Sequence, residues 1–311
     1  MAARRKRRRK PALTRPQRIA ALVCTLLLLC AAAVIAVSRY GEELRAVFEP
    51  SSSAVTGGEL QIHVIDVGNA DSVLVTKDGQ SLLIDAGENK NTDTVIAYLR
   101  AQKVDRLDYV IATHADADHI GGMDDVVNTF PIGTFIMATM PEEATPTTKT
   151  YLKLLKALDA QGLSITEAEP GQTHSLGSAL LTILGPAGTF TDTNEMSVVC
   201  RVDFGSTGFL FMGDAEQEAE AALLASGQNL RADFLKAGHH GSSSSSSEAL
   251  IAAVRPRYAA LTCGAGNSYG HPHAETLETL EKYNVTCYRS DLNGTIRAVS
   301  DGSAVTVTTE K

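Results

Sequence analysis

The sequence predicts an α/β domain carried behind a single membrane-spanning helix. Three observations lead there. Between residues 60 and 300, short apolar runs rich in Val, Ile, Leu and Phe recur between segments of helical spacing. Residues 19–37, IAALVCTLLLLCAAAVIAV, carry no charge. The eighteen residues before them hold nine Lys or Arg and no acid.

Nineteen residues at helical rise span roughly 28 Å, close to a bilayer's hydrocarbon core. No polar face interrupts the run, so a buried core helix is a poor reading. The expectation is an uncleaved signal anchor at 19–38, with a cleaved signal peptide ending at AVS, 36–38, as the alternative. The basic tail 1–18 should stay cytoplasmic, which puts the remainder outside the cell membrane as a single-pass protein; cleavage would make it secreted. A nucleic-acid or nuclear-localisation reading of RRKRRRK yields to topology because the apolar span adjoins it. One span is too few for a transport channel.

Residues 39–58, ending EPSSSAVTGG, read as a linker. The domain follows at 59–311. LQIHVIDVG and SVLVT are strands split by the turn NAD, SLLIDAG is a third, and TDTVIAYLRAQ has helical spacing. LDYVIAT is a β-branched strand, after which GGMDDVVNTF opens a helix. Further strands are expected at TFIMA, LLTILGP, SVVCRVDFG, TGFLFMGD, ADFLKAG, YAALTCG, VTCYRS and TIRAVS, and helices at 148–161, 215–226, 245–254 and 274–283. The serine run 242–247 on its own reads as a flexible loop. Outside the tail the charge is strongly acidic: the other 19 basic residues face 36 acidic ones, a net of −17. The five cysteines form no CxxC pair, which argues against a cysteine zinc site, while a Cys263–Cys287 disulfide is conceivable in an oxidising compartment.

The chemistry gathers at strand ends, where α/β proteins place their sites. Asp85 ends one strand; His114, Asp116, Asp118 and His119 follow another in THADADHIGG. Asp214 follows FLFMG, His239 and His240 follow FLKAG, and His271 and His273 lie in NSYGHPH. A single Asp after a strand is more often a turn or cap, and a lone His is more often structural. Five strands ending in carboxylate or imidazole are harder to dismiss. Alternate residues of an extended loop can face one ion while adjacent Asp118 and His119 turn to another, and Asp214 is able to bridge them. Two such divalent ions activate water and clamp an oxyanion; mixed imidazole and carboxylate ligands suit Zn or Mn. His271 and His273 are candidates for orienting substrate or protonating a leaving group. The HHGSSSSSS loop, with His240 and Ser242, offers hydroxyls and backbone N–H groups that suit phosphate.

These motifs together resemble the metallo-β-lactamase fold superfamily. THADADHIGG, FMGD, LKAGHHGS and GNSYGHPH occur in that order, and IHVIDVGNADSVLV, NEMS and YRSDLNGTIRAVS narrow the likeness to the C-terminal hydrolase domain of ComEC-type competence proteins and its free-standing relatives. The resemblance covers nearly all of 59–311. It implies a four-layer αββα sandwich with two metal ions, His114 and Asp116 serving one, Asp118 and His119 the other, Asp214 bridging, and His239 in preference to His240 closing a shell. Asp118, Asp214 and His271 are the expected catalytic groups. Departures are visible: Asp116 replaces the usual middle histidine, Ala70 stands where the relatives have glycine, and the ligand histidine usual before Asp214 has only His174 as a candidate. His174 looks like a variable position before a strand, so Asn194 and Ser197 of NEMS are expected to line the site instead. The implied function is a metal-dependent phosphodiesterase or nuclease, with DNA as one substrate. Hydrolysis of another ester (a cell-wall phosphoester, thioester or lactone) is an alternative, as is a non-catalytic accessory role in a DNA-uptake or envelope complex. β-Lactam hydrolysis is disfavoured by Asp116.

Overall fold

The computed structural model describes residues 58–311. The tail 1–18, the anchor 19–38 and all but the last residue of the linker lie outside the described residues. Among the described residues no helix is long and apolar enough to cross a membrane.

Among the described residues fifteen strands form two mixed sheets. The first contains β1 (Leu60–Val64), β2 (Val73–Lys77), β3 (Gln80–Ile84), β4 (Leu107–Ala112), β5 (Ile132–Met137), β6 (Ile165–Glu167), β14 (Ile296–Ser300) and β15 (Val305–Thr309), in the order β15-β14-β1-β2-β3-β4-β5-β6. The second contains β7 (Thr173–Leu176), β8 (Ala179–Ile183), β9 (Cys200–Phe204), β10 (Thr207–Phe211), β11 (Phe234–Lys236), β12 (Tyr258–Leu261) and β13 (Thr286–Arg289), in the order β13-β12-β11-β10-β9-β8-β7. In each sheet a hairpin-linked antiparallel part joins a parallel part, from β3 to β6 and from β10 to β13.

The period-2 pattern of the strands builds the layers. Val73 and Val75, Leu82 and Ile84 point between the sheets, where they meet Leu181, Val202, Phe209 and Phe234 of the second sheet. Leu74, Leu83 and Val110 point the other way, onto Val95 and Leu99 of α1 (Thr92–Ala101) and Val126 of α3 (Met123–Thr129). Leu154 and Leu158 of α4 (Lys149–Ala160) complete that outer layer. Leu210, Leu235 and Leu261 do the same on the far side. They pack on Leu223 of α5 (Gln217–Ala225), Ile251 of α6 (Glu248–Val254) and Leu280 of α7 (Ala274–Lys282). The result is helix, sheet, sheet, helix, the expected α/β sandwich.

Three strands were not anticipated. β6 and β7 are short and largely polar, and β15 (VTVTT) is half exposed at a sheet edge. The helical turn α2 (Ala117–Ile120) starts inside the HADADH segment. The serine run is not a free loop: Ser245 Oγ donates to Gly238 O at 2.8 Å, and the backbone N–H groups of Ser246 and Ser247 donate to the Glu220 carboxylate. Cys263 and Cys287 are both free thiols. Cys263 Sγ lies 3.3 Å from Asp291 Oδ1, so the structure does not form the disulfide.

Candidate metal centre

The C-terminal ends of β3, β4, β10, β11 and β12 deliver their loops to one edge of the sandwich. Asp85 follows β3 directly and is bent back with φ at +59°. In that posture Oδ1 accepts the Thr113 N–H at 2.8 Å, and Oδ2 accepts the Thr113 hydroxyl at 2.7 Å. Oδ2 also lies 2.8 Å from His119 Nδ1. That contact puts the ring proton on Nδ1 and turns Nε2 toward Asp214, whose Oδ1 is 3.3 Å away. Two glycines permit the close approach. A Cβ on Gly122 would sit 2.6 Å from Ala86 O, and one on Gly213, which has φ +55°, would sit 2.9 Å from Thr113 Cβ.

His240 is held in the same manner from the other sheet. Its Nδ1 lies 3.4 Å from Asp71 Oδ1 and 3.3 Å from Thr262 Oγ1, and Thr262 also donates to Asp71. Asp71 Oδ2 in turn pairs with the buried ammonium of Lys236 at 2.5 Å. His240 Nε2 is left facing Asp118 Oδ2 at 3.3 Å and Asp214 Oδ2 at 3.4 Å. One ligand atom from each of Asp118, His119, Asp214 and His240 falls within 4.8 Å of the other three. His114 and Asp116 stand beside this group, Nε2 to Oδ2 at 4.0 Å, and the His114 and His119 rings are 4.1 Å apart.

Buried polar atoms in native proteins nearly always have partners. Here Nε2 of His114, His119 and His240 and Oδ1 of Asp214 are buried without a hydrogen-bond partner, although the other end of each ring is secured. A set of lone pairs aimed at one space, each braced from behind, is the donor set of a divalent metal site. The residues therefore fit the metal that the sequence suggested.

The electrostatics favour positive charge in this space: without a cation the two central histidines hold protons against the carboxylates, and a metal would bind by displacing those protons. Burial pushes the Asp214 carboxyl up, but the His119 and His240 imidazoles outweigh it and hold it well below the carboxylate range. Burial pushes His119 and His240 down, yet Asp214, with Asp85 behind the first and Asp118 and Asp71 around the second, holds both well above the usual imidazole range. His114, buried beside His119, is pushed down to about 4. His271 is also pushed to about 4, by burial first and then by His240, His239 and His273.

The cleft over these groups measures about 170 Å³. Asp116, Asp118, Asp214, His239, His240 and His271 line it, together with Asn69, Asn194 and Tyr269. His239 sits at the mouth, Nδ1 2.7 Å from Glu216 Oε1 and Nε2 3.8 Å from Asp214 Oδ2. It is thus His240, expected to touch substrate, that enters the close group, and His239 that borders the opening. Ser197, Ser242 and His273 stand behind the wall. Ser197 Oγ accepts the Asp214 N–H at 3.1 Å. The Ser242 carbonyl accepts the Thr276 hydroxyl at 2.9 Å, and His273 Nδ1 lies 2.9 Å from the Ser243 nitrogen. His174 is on β7, paired with Leu181 and packed 5.1 Å from the Tyr109 ring, apart from the cluster. Asp71, Lys236 and Thr262 were not singled out in the sequence. A lysine inside the apolar run ADFLKAG was the available signal.

Comparison with known proteins gives the same picture. Residues 65–264 match the model of the metallo-beta-lactamase superfamily. ComE operon protein 3 of Bacillus subtilis (strain 168) is 30% identical over 258 residues, covering 77% of this chain and 33% of that protein. Competence protein ComA of Neisseria gonorrhoeae is 30% identical over 251 residues, covering 78% and 33%. The chain spans about a third of the length of these curated relatives. Among solved structures, the metallo-beta-lactamase fold protein YhfI from Bacillus subtilis superposes with a TM-score of 0.51 at 14% identity, over 78% of this chain and 99% of that one. With four sandwich layers, a braced cluster at the strand ends and a family match over most of the domain, the chain belongs to the metallo-beta-lactamase superfamily.

Proposed function

We propose that this chain is a metal-dependent phosphodiesterase, held at the outer face of the cell membrane by residues 19–38. The observation that carries the catalytic part is the close group of Asp118, His119, Asp214 and His240 under the cleft, with Nε2 of both histidines and Oδ1 of Asp214 buried and unpartnered. Zinc or manganese ions there, two by the count of donors, would supply Lewis acidity toward a phosphoryl oxygen and an attacking water. The chain's own groups do the rest. Asp85 and Asp71 fix the two imidazoles, Ser197 fixes the Asp214 backbone, and His271, on the cleft wall, keeps a buried Nδ1 without a partner.

A phosphodiester suits a small polar cleft of this kind, but the net charge of −17 outside the tail opposes a long polyanion, which is usually held by Lys and Arg that displace counterions. DNA is therefore a substrate in short contact with the site, bound weakly and with strong dependence on salt. The anchor rests on the uncharged run behind nine positive charges.

The test is metal analysis of the full chain purified in detergent, together with hydrolysis of a chromogenic phosphodiester and of single-stranded DNA with Mn and Zn in turn. Metal-dependent cleavage that Asp118→Ala and Asp214→Ala abolish supports the reading. Activity confined to a thioester or lactone would move the assignment to another ester, and full activity without metal would sink it. Protease added to intact cells should reach the domain; protection until lysis would reverse the orientation, and a soluble form starting near Arg39 would mean a cleaved signal.

A further inference from the structure

Beside the metal cleft lies a larger chamber of about 470 Å³. It shares Asn69, Asp118 and Tyr269 with the cleft and adds Glu88, Asn89 and Lys90. Tyr269 is 68% exposed and is the one aromatic among the exposed large hydrophobic side chains of the described residues. Its ring lies nearly parallel to that of His271, 20° apart with centroids at 5.5 Å, so one face is backed and the other is open. The loop that carries it is fixed. Asn267 Nδ2 donates to His271 O at 2.6 Å, Asn267 Oδ1 accepts the His271 N–H at 3.0 Å, and the Tyr269 carbonyl lies 3.1 Å from His273 Nε2. Asn69, at the junction of the two spaces, keeps a buried amide oxygen without a partner. Lys90 pairs only with neighbouring Glu88, in an exposed contact of the kind that exchanges readily.

A backed aromatic face, an amide awaiting a donor and one movable cation make up a site for a flat heteroaromatic ring with a single charge beyond it. We propose that the chamber is a nucleoside subsite, in which a base stacks on Tyr269 and hydrogen-bonds Asn69 while its phosphodiester lies over Asp118 and its neighbours. The volume lies within the range of pockets that take small organic ligands. Stacking on a fixed aromatic accepts any base, and it gives an acidic protein a hold on a nucleotide without a basic track. This inference rests on the phosphodiesterase reading and supplies the recognition that reading lacks.

The chain has no tryptophan, so Tyr269→Trp introduces a single indole at the proposed contact, which can be excited apart from the tyrosines. Thymidylyl-thymidine should quench it saturably in full-length protein without metal. An analogue with hydrogen in place of both bases should bind from about fivefold to about a hundredfold more weakly, the usual range for one lost stacking contact. In the metal-loaded protein, Tyr269→Ala should bring the ratio of kcat/KM for the two compounds toward one, mainly through KM, while Tyr269→Phe should keep it. Equal affinity for the two compounds, or a ratio that Tyr269→Ala leaves unchanged, would overturn the proposal. If the quenching discriminates but no phosphodiester is cleaved, the subsite stands and the phosphodiesterase reading falls; cleavage without discrimination has the opposite meaning.

Discussion

Lys236→Met tests whether the site is braced by a buried ion pair. The ammonium and the Asp71 carboxylate are 2% and 4% exposed and 2.5 Å apart, and Nζ also donates to Ala237 O at 2.8 Å. Methionine fills the volume of the stem but leaves Asp71 charged and buried. Removing one member of such a pair costs about 3–5 kcal/mol. At about 2–4 °C per kcal/mol for a domain of this size, Tm should fall by roughly 6–20 °C. Asp71→Leu added to Lys236→Met should recover much of that loss, because an apolar pair of similar volume carries no unmet charge. The sign with pH follows from Asp71. Burial pushes its carboxyl up, but Lys236 and then His240 outweigh that and hold it well below the carboxylate range. Its stabilising contribution is therefore full above the unfolded value of about 3.9 and is lost as pH falls through the depressed folded value. The deficit of Lys236→Met should be largest near neutrality and shrink in acid. Thermal unfolding followed by circular dichroism, with chelator present so that metal binding does not contribute, measures it. Additivity of the two substitutions within about 0.5 kcal/mol would refute the coupling.

Asp85→Asn should weaken metal binding by about 10- to 100-fold, since an amide no longer fixes the His119 tautomer; unchanged affinity in equilibrium dialysis would remove Asp85 from the brace. His240→Ala should lower the bound metal per chain whereas His239→Ala should retain it, and the reverse result would return the ligand role to His239. His63, bonded to Tyr98 and pushed down to about 4 by burial and then by Arg297, stays neutral in the folded chain. The unfolded chain protonates it below about 6.5, so it lowers stability as pH falls from there toward 4, after which the loss levels off. His63→Gln should flatten that part of a pH–stability profile, and superimposable profiles would assign the acid limb to other groups.

The sandwich was legible because its strands write their burial plainly. VLV in β2 and QSLLI in β3 alternate between the two cores, and the helices of the outer layers show helical spacing with buried residues on one face. What escaped were elements held by their surroundings rather than by their own pattern. β7 (THSL) pairs along β8, and α2 forms where Asp71 N–H and Ala86 N–H reach back to the carbonyls of Asp118 and His119. The serine run looked flexible because its composition is; it is ordered by Glu220, a carboxylate twenty-six residues before Ser246.

The choice between His239 and His240 shows where sequence reasoning stops. Both occupy left-handed backbone, with φ at +45° and +53°, a conformation that costs an L-residue about 1–2 kcal/mol. Consecutive residues in that posture have no period from which to read which one turns inward. The decision is made by Asp71 and Thr262, which come from two other loops and meet at His240 Nδ1, while Glu216 draws His239 to the mouth. Strain of this kind persists only where the surroundings over-determine it. The buried Asp71–Lys236 pair, the Asp85 turn at φ +59° and the two strained histidines therefore belong to one arrangement. Removing any brace should release a neighbouring backbone as well as a side chain, so losses in metal affinity and in stability should appear together in Asp71 and Lys236 variants and separate in Tyr269 variants, whose exposed ring stacks on His271 and braces none of the close group.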